Sequence, residues 1–373
     1  MPSCHQSHKT LRHINIRKDE KFSISEHNRS KHKMIKKTLI SASVLTAIFL
    51  GGCDNTAKIP ESKAKTEGST NTKPITIGYS DWPGWVAWQV AIEKGWFKEA
   101  GLNVEFKWFD YSASINAFSA SQLDAVSVSN GDNLVIASGG TKGIMILATD
   151  YSAGNDVIIA KNGINNIADL KGKKIAVEKG LVDHHLLNTA LDDAKVANSE
   201  VTLVNAVTNE LPQVFASPDV SAIAVWQPVA NQALKAVAGS KIIYSSKDKP
   251  GLIYDTLTVN MTHLAANKED WKKIIQVWDK TVKYINDPAT RDDAVAIMAK
   301  RVGLDAAQYA QFIDGTHLLD LQANKKVFTK SDSFDSIYGS SYHVNEFNFK
   351  NGVYTTKVDV DGVIFPTLVE EVK

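Results

Sequence analysis

ITIGYSDWPGWVAWQVAIEKGWFKEAGLNVEFKWF, Ile75 to Phe109, sets the fold. Ile75–Ser80 is an apolar strand run, Trp85–Lys94 carries a helical pattern, and Asn103–Phe109 reads as strand again. The same alternation continues through DAVSVSN (124–130), GIMILATD (143–150), DVIIA (156–160), KKIAVEK (173–179), VTLVNAV (201–207), SAIAVWQ (221–227), KIIYSS (241–246) and DTLTVN (255–260). Helical patterns such as Val182–Val196 fit between most of these runs. Strands alternating with helices predict an α/β fold built on mostly parallel sheets flanked by helices. Beyond Asn260, KEDWKKIIQVWDKTVKYIND and PATRDDAVAIMAKRVG read as long amphipathic helices. The segment YSAGND, Tyr151–Asp156, separates the strand runs into two sets, so two sheets are expected rather than one of ten strands. The chain then returns near Tyr254, which gives lobe 1 as 74–152 with 256–373 and lobe 2 as 153–255.

Ahead of this body, MIKKTLISASVLTAIFLGGCDN begins with Lys36 and Lys37 and continues into an apolar run of about a dozen residues, too short to span a bilayer and fitting a signal peptide. Its end, Leu50–Cys53 (LGGC), resembles a bacterial lipobox. That resemblance implies cleavage before Cys53 and a lipid anchor on its sulfur, with two or more acyl chains holding the protein firmly. Residues 34–52 are therefore expected to be a lipoprotein signal, and polar 53–73 a flexible tether. The patternless 1–33 is expected to be an extension ahead of a natural start at Met34.

Charge divides along the chain. Residues 1–52 hold ten Lys and Arg against three Asp and Glu, so of the 42 basic and 41 acidic residues 32 and 38 remain in the rest, a net charge of −6. An acidic body argues against nucleic acid as a partner. The two cysteines, Cys4 and Cys53, both precede the body, which leaves it without a disulfide or thiolate metal site.

In open α/β sheets, ligands bind beyond the carboxyl ends of the strands. Those ends here collect aromatic and polar residues: Asp81, Trp82 and Trp85; Asp110 and Tyr111; Asn130 and Asp132; Asp150 and Tyr151; Glu178 and Asp183; Asn209; Trp226; and Asp255 on the return. Trp88 continues a stripe with Trp85, Ile92 and Trp96 and is assigned to the lobe core, whereas Trp82 and Trp85 lie on the turn and are assigned to a pocket. Asp81, Asp132 and Asp183 could equally be helix N-caps. His184 and His185 point about 100° apart on one helix, which argues against a metal site.

Four stretches in this order, EKGWFKEAGLNVEF (93–106), QLDAVSVSN (122–130), IADLKGKKIAVEKG (167–180) and SAIAVWQP (221–228), resemble the nitrate/sulfonate/taurine (NMT1-like) solute-binding proteins of bacterial ABC importers. The resemblance spans about Pro74 to Gly352. It implies the two-lobed periplasmic binding protein type II fold, a solute held in the interlobe cleft, and an ABC permease with its ATPase as partners. It also implies a membrane-anchored monomer at the extracytoplasmic face, with no cofactor and no catalysis. DYSAGND (150–156) further resembles a branch found beside urea- and guanidine-carboxylating enzymes. A cleft hydrolase using paired carboxylates is the alternative of another class.

No arginine occurs between Ser30 and Thr290, and the strand ends are rich in acids. An amine- or guanidinium-like solute is therefore expected, with taurine, alkyl sulfonate or nitrate as the alternative, since helix N-termini can also hold anions. Two cation–π contacts at about 0.5–2 kcal/mol and two charged hydrogen bonds at about 1.5–3 kcal/mol give roughly 4–10 kcal/mol gross. Micromolar affinity requires about 8 kcal/mol net, so such a set of groups suffices for a small cation.

Overall fold

A computed structural model describes residues 73–373. The signal sequence, Cys53, the tether as far as Thr72 and the extension before Met34 lie outside the described residues.

Among the described residues, eleven strands form two sheets. They are β1 (Ile75–Tyr79), β2 (Val104–Trp108), β3 (Ala125–Ser129), β4 (Gly143–Ser152), β5 (Asp156–Ala160), β6 (Lys174–Val177), β7 (Thr202–Asn205), β8 (Ala222–Trp226), β9 (Lys241–Ser245), β10 (Tyr254–Asn260) and β11 (Thr316–Leu318). The first sheet has the order β11-β4-β10-β3-β1-β2 and the second β7-β6-β8-β5-β9. Helices pack on both, giving the two-lobed α/β architecture.

The strands run mostly one way, but the pairings are mixed. In the first sheet β2, β1 and β3 pair in parallel, while β10 lies antiparallel between β3 and β4. In the second, β7, β6 and β8 are parallel and β5 lies antiparallel between β8 and β9. Both inserted strands directly follow a crossing between the sheets, β4 to β5 and β9 to β10. The short strand β11, with only three residues, carries no alternation by which the sequence could reveal it. The helix expected over Trp85–Lys94 is divided into Pro83–Val86 and Trp88–Glu93.

Every residue of β1 and β3 is buried, as befits strands in the middle of a covered sheet. The helix Lys268–Asn286 packs on the other helices of this lobe with Trp271, Ile274, Ile275, Trp278, Val282 and Ile285, buried at spacings of three and four. Glu269 and Asp270 in its first turn oppose the positive end of its dipole. Trp88 is fully buried, 4.5 Å between ring centroids from Trp278, whose indole N–H donates to the Leu319 carbonyl at 2.8 Å. Among the described residues, no helix is long and apolar enough to cross a membrane.

Candidate functional site

The two sheets meet along one edge, where the ends of β1, β3, β4 and β8 adjoin the beginnings of β5 and β10. The lobes are closed on each other there. The backbone N–H of Val182 in lobe 2 donates to Asp132 Oδ2 of lobe 1 at 3.3 Å, and the Trp226 indole N–H donates to Asp81 Oδ1 at 3.5 Å. The Tyr111 and Trp226 rings meet edge to face at 5.0 Å. Trp82, Trp85, Tyr111, Val182 and Trp226 share one apolar cluster that spans both lobes.

The Pro83–Val86 turn delivers the two tryptophans. The Trp82 indole N–H donates to Asp150 Oδ1 at 2.9 Å, and Trp85 stacks on Tyr111 at 5.2 Å. Gly84 is required here, because any side chain would collide with the Asp150 carboxylate. Tyr111 donates its hydroxyl proton to Asp132 Oδ2 at 2.6 Å.

An acidic cavity and, beneath it, a packed acidic cluster result. The outer cavity, of about 60 Å³, lies between the lobes and is lined by Asp81, Asp110 and Tyr111 on one side and Glu178, Asn209 and Trp226 on the other. No lysine or arginine lines it. Glu178 Oε2 is held there by the backbone N–H and hydroxyl of Thr208, at 3.1 and 2.8 Å.

The inner cluster is made of five aspartates, Asp132, Asp150, Asp156, Asp183 and Asp255, each at most 3% exposed. The donors they receive are neutral: Trp82, Thr149, Tyr111 and the Val182 backbone. No donor other than a neighbouring carboxyl reaches Asp183 or Asp156 Oδ2: the Asp183 and Asp156 carboxyls face each other, as do those of Asp150 and Asp255.

The electrostatics follow from burial. Asp132 is pushed up to about 7 and Asp81 to about 6, both chiefly by loss of water. Asp183 and Asp255 are raised well above the carboxylate range, first by burial and then by Asp156 and Asp150 respectively. Asp150 and Asp156 move the same way for the same first cause. No lysine or arginine stands among the causes of these shifts.

The structure sorts the residues singled out from the sequence. Asp81, Asp110, Tyr111, Glu178, Asn209 and Trp226 line the outer cavity. Asp132, Asp150, Asp183 and Asp255 lie in the inner cluster, with Trp82 and Trp85 beside it. None of Asp81, Asp132 and Asp183 is an N-cap: the capping positions are Trp82, Ser129 and Leu181. Asn130 is committed to the fold of lobe 1, because its amide donates to Ser340 and Ser341 and accepts from the Tyr254 N–H. Tyr151 stacks on His317 at 4.6 Å at the crossing and does not line either cavity. His184 and His185 are pushed down to about 4 and about 3 by burial, so both rings are neutral. Among the described residues, no group of three or more His, Cys, Asp or Glu is placed to hold a metal ion.

Asp156 is a site residue that reading beyond strand ends misses. It opens β5, and because β5 runs antiparallel to β8, its first residue pairs with Trp226, the last of β8. The wider cavity of about 810 Å³, lined by Tyr79, Glu93, Lys98, Lys300 and Arg301 among others, takes no residue from lobe 2.

The comparisons with known proteins agree with this architecture. A chain of Brucella abortus named "Putative binding protein" is 28% identical over 238 residues, covering 63% of this chain and 73% of that one. A Bacillus subtilis chain named "Putative aliphatic sulfonates-binding protein" is 23% identical over 290 residues, 76% of this chain and 83% of that one. The crystal structure of the periplasmic aliphatic sulphonate binding protein SsuA from Escherichia coli superposes with a TM-score of 0.65 at 18% identity, over 80% of this chain and 99% of that one. The two sulfonate-binding names side with the anion alternative rather than with the expected amine or guanidinium. The pattern of the family described as NMT1/THI5 like matches residues 82–290, more than half of the chain, and the protein belongs to that family.

Proposed function

We propose that this protein is the solute-binding component of an ABC importer, capturing a small nitrogen-containing cation between its lobes and presenting it to the permease and its ATPase. The names of its relatives support the receptor role. The lipobox-like LGGC supports an anchor on Cys53 at the extracytoplasmic face of a bacterial membrane, with the protein acting as a monomer. Paired carboxylates could in principle serve a hydrolase, but the solute-binding relatives support capture without catalysis.

One observation carries the charge of the ligand: the closed interlobe space is lined by carboxylates and aromatic rings, with no lysine or arginine in the outer cavity. An anion placed there would face several carboxylates in a medium of low dielectric, where like charges repel by several kcal/mol. The second reading, a taurine-, alkyl sulfonate- or nitrate-type anion held by backbone N–H groups, is favoured by the names of the relatives. Calorimetric titration with guanidinium, methylammonium, taurine and nitrate separates the two. The expected outcome is binding of a cation and none of the anions; tight binding of taurine or nitrate without any cation would assign the protein to anion transport.

A further inference from the structure

We propose that the cavity of about 810 Å³ in lobe 1 is a second ligand site, taking a small organic carboxylate whose head meets Arg301 and whose apolar body fills the cavity. The site takes no residue from lobe 2 and does not depend on what binds between the lobes.

The floor of the cavity is apolar. Tyr79, Phe97 and Leu102 are buried there, and Ile92, Phe106 and Ile297 are half-buried around them. Small-molecule sites are mostly apolar in this way, with a few placed polar groups, and occupy about 300–1,000 Å³. The Tyr79 hydroxyl is held from both sides: it donates to Gln89 Oε1 at 3.1 Å and accepts from Arg301 Nε at 2.9 Å. Gln89 Nε2 in turn donates to Glu93 Oε1 at 3.1 Å, so the one carboxylate on the lining is engaged by an amide and not by a cation.

The charge on the rim selects the head group. Lys98, Lys300 and Arg301 on the lining make no ion pair among the described residues, whereas neighbours on the same flank do, Lys94 with Asp293 at 2.8 Å and Lys280 with Glu99 at 3.0 Å. Three cations against Glu93 give the lining a net charge of +2, on a body whose net charge is −6. Lys300 and Arg301 end the helix Arg291–Arg301, where the helix dipole favours positive charge. The dipole does not account for the pose of Arg301. Its guanidinium carbon lies 4.1 Å from the centre of the Trp108 ring and its Nε is taken by Tyr79, so the head is fixed with both Nη groups unpartnered among the described residues. An arginine fixed in this way presents a planar fork that matches a carboxylate with two parallel bonds. Lys98 and Lys300 add attraction without direction. An ammonium at this rim would meet three like charges.

The test is calorimetric titration of the protein with 2-naphthoate, acetate and 2-naphthylmethylammonium, which separate the charge of the head from the apolar body. Naphthoate is expected to bind at least tenfold more tightly than either of the others. Arg301→Gln is expected to weaken naphthoate at least tenfold, and Arg301→Lys to recover only part of that loss, because it restores the charge without the fork. Ile297→Trp, which fills the cavity from its wall, is expected to abolish binding while the melting temperature stays close to that of the unaltered protein. If Ile297→Trp does not fold, Arg301→Gln decides alone, since Arg301 is an exposed side chain. Acetate binding as tightly as naphthoate would remove the role of the apolar floor, and the ammonium binding as tightly would remove the role of the cations; either result overturns the proposal. Naphthoate affinity unchanged in Arg301→Gln, or in a folded Ile297→Trp, would put the carboxylate outside this cavity and overturn the site.

Discussion

The protein has two kinds of interior, and they are built on opposite principles. The core of lobe 1 gathers Trp88, Phe97, Phe106 and Trp278 around one another, with the Trp278 N–H satisfied by the Leu319 carbonyl and the Trp88 and Trp271 N–H groups left without acceptors. The interior between the lobes is as buried, yet it holds five aspartates whose only donors are neutral groups or one another's carboxyls. The first region lowers the free energy of the chain by itself. The second raises it, a cost that on the cationic reading proposed above a bound cation would offset. Among the described residues, these buried carboxylates gather at the junction of the two sheets.

The sharpest way to break this contrast is to damage the first region and look for an effect on the second. Trp88→Ala removes a fully buried indole from between three aromatic neighbours, and such truncations cost about 3–5 kcal/mol through lost burial and the cavity left behind. Urea unfolding should show a loss of that size, while ligand affinity in the folded fraction changes less than tenfold. An affinity loss matching the stability loss would mean that the lobe core and the interlobe interior are one energetic unit.

A second test uses pH. Asp132 and Asp81 have proton affinities raised by burial to about 7 and about 6, and in the unfolded or opened chain they return toward the ordinary carboxylate value of about 4. A group raised in this way contributes its full stabilisation of the closed form below about pH 4 and loses it as pH rises through the folded value. A tenfold change in proton affinity corresponds to about 1.4 kcal/mol, so Asp132 alone changes the balance by up to about 4 kcal/mol between pH 4 and pH 8. The chain can relieve this cost by separating its lobes, with no need to unfold. Small-angle scattering of unliganded protein should therefore give a larger radius of gyration at pH 8 than at pH 5, and added ligand should restore the compact form at pH 8. A radius independent of pH would show that the carboxylates ionise without opening the cleft.

Much of this contrast was legible in the sequence, and the parts that were not have definite causes. The strand–helix alternation carried the α/β architecture, because apolar period and turn residues are local properties. The clustering of Asp81, Asp132, Asp150, Asp183 and Asp255 near strand ends exposed the acidic interface, because the ends of strands in such sheets gather along one edge. Asp156 escaped, because its place at the edge depends on the antiparallel direction of β5, which is set by how the chain crosses between sheets. Asn130 was assigned to the site for its position, but its partners Ser340 and Ser341 lie some 210 residues away and leave no local sign. The choice between cap and ligand for the aspartates likewise depends on which backbone N–H groups come near, a tertiary matter.

The smallest expected effect concerns the seam between the outer cavity and the inner cluster. Trp226 contributes a ring that meets Tyr111 edge to face at 5.0 Å and an indole N–H that reaches Asp81 only at 3.5 Å. Aromatic pairs of this geometry contribute about 0.5–1.5 kcal/mol beyond their burial. A hydrogen bond stretched to the limit of the accepted range contributes little, and in the closed unliganded form it serves mainly to partner a carboxylate that would otherwise have no donor from lobe 2. Trp226→Phe keeps a ring against Tyr111 and removes the N–H. It should change ligand affinity by less than fivefold, which corresponds to under about 1 kcal/mol, whereas Trp226→Ala should cost more because it also opens a gap beside Tyr111. Titration calorimetry on the two variants decides between ring and donor. A loss beyond tenfold in Trp226→Phe would make the N–H a direct ligand contact, and would place part of the recognition in the outer cavity beside Asp81.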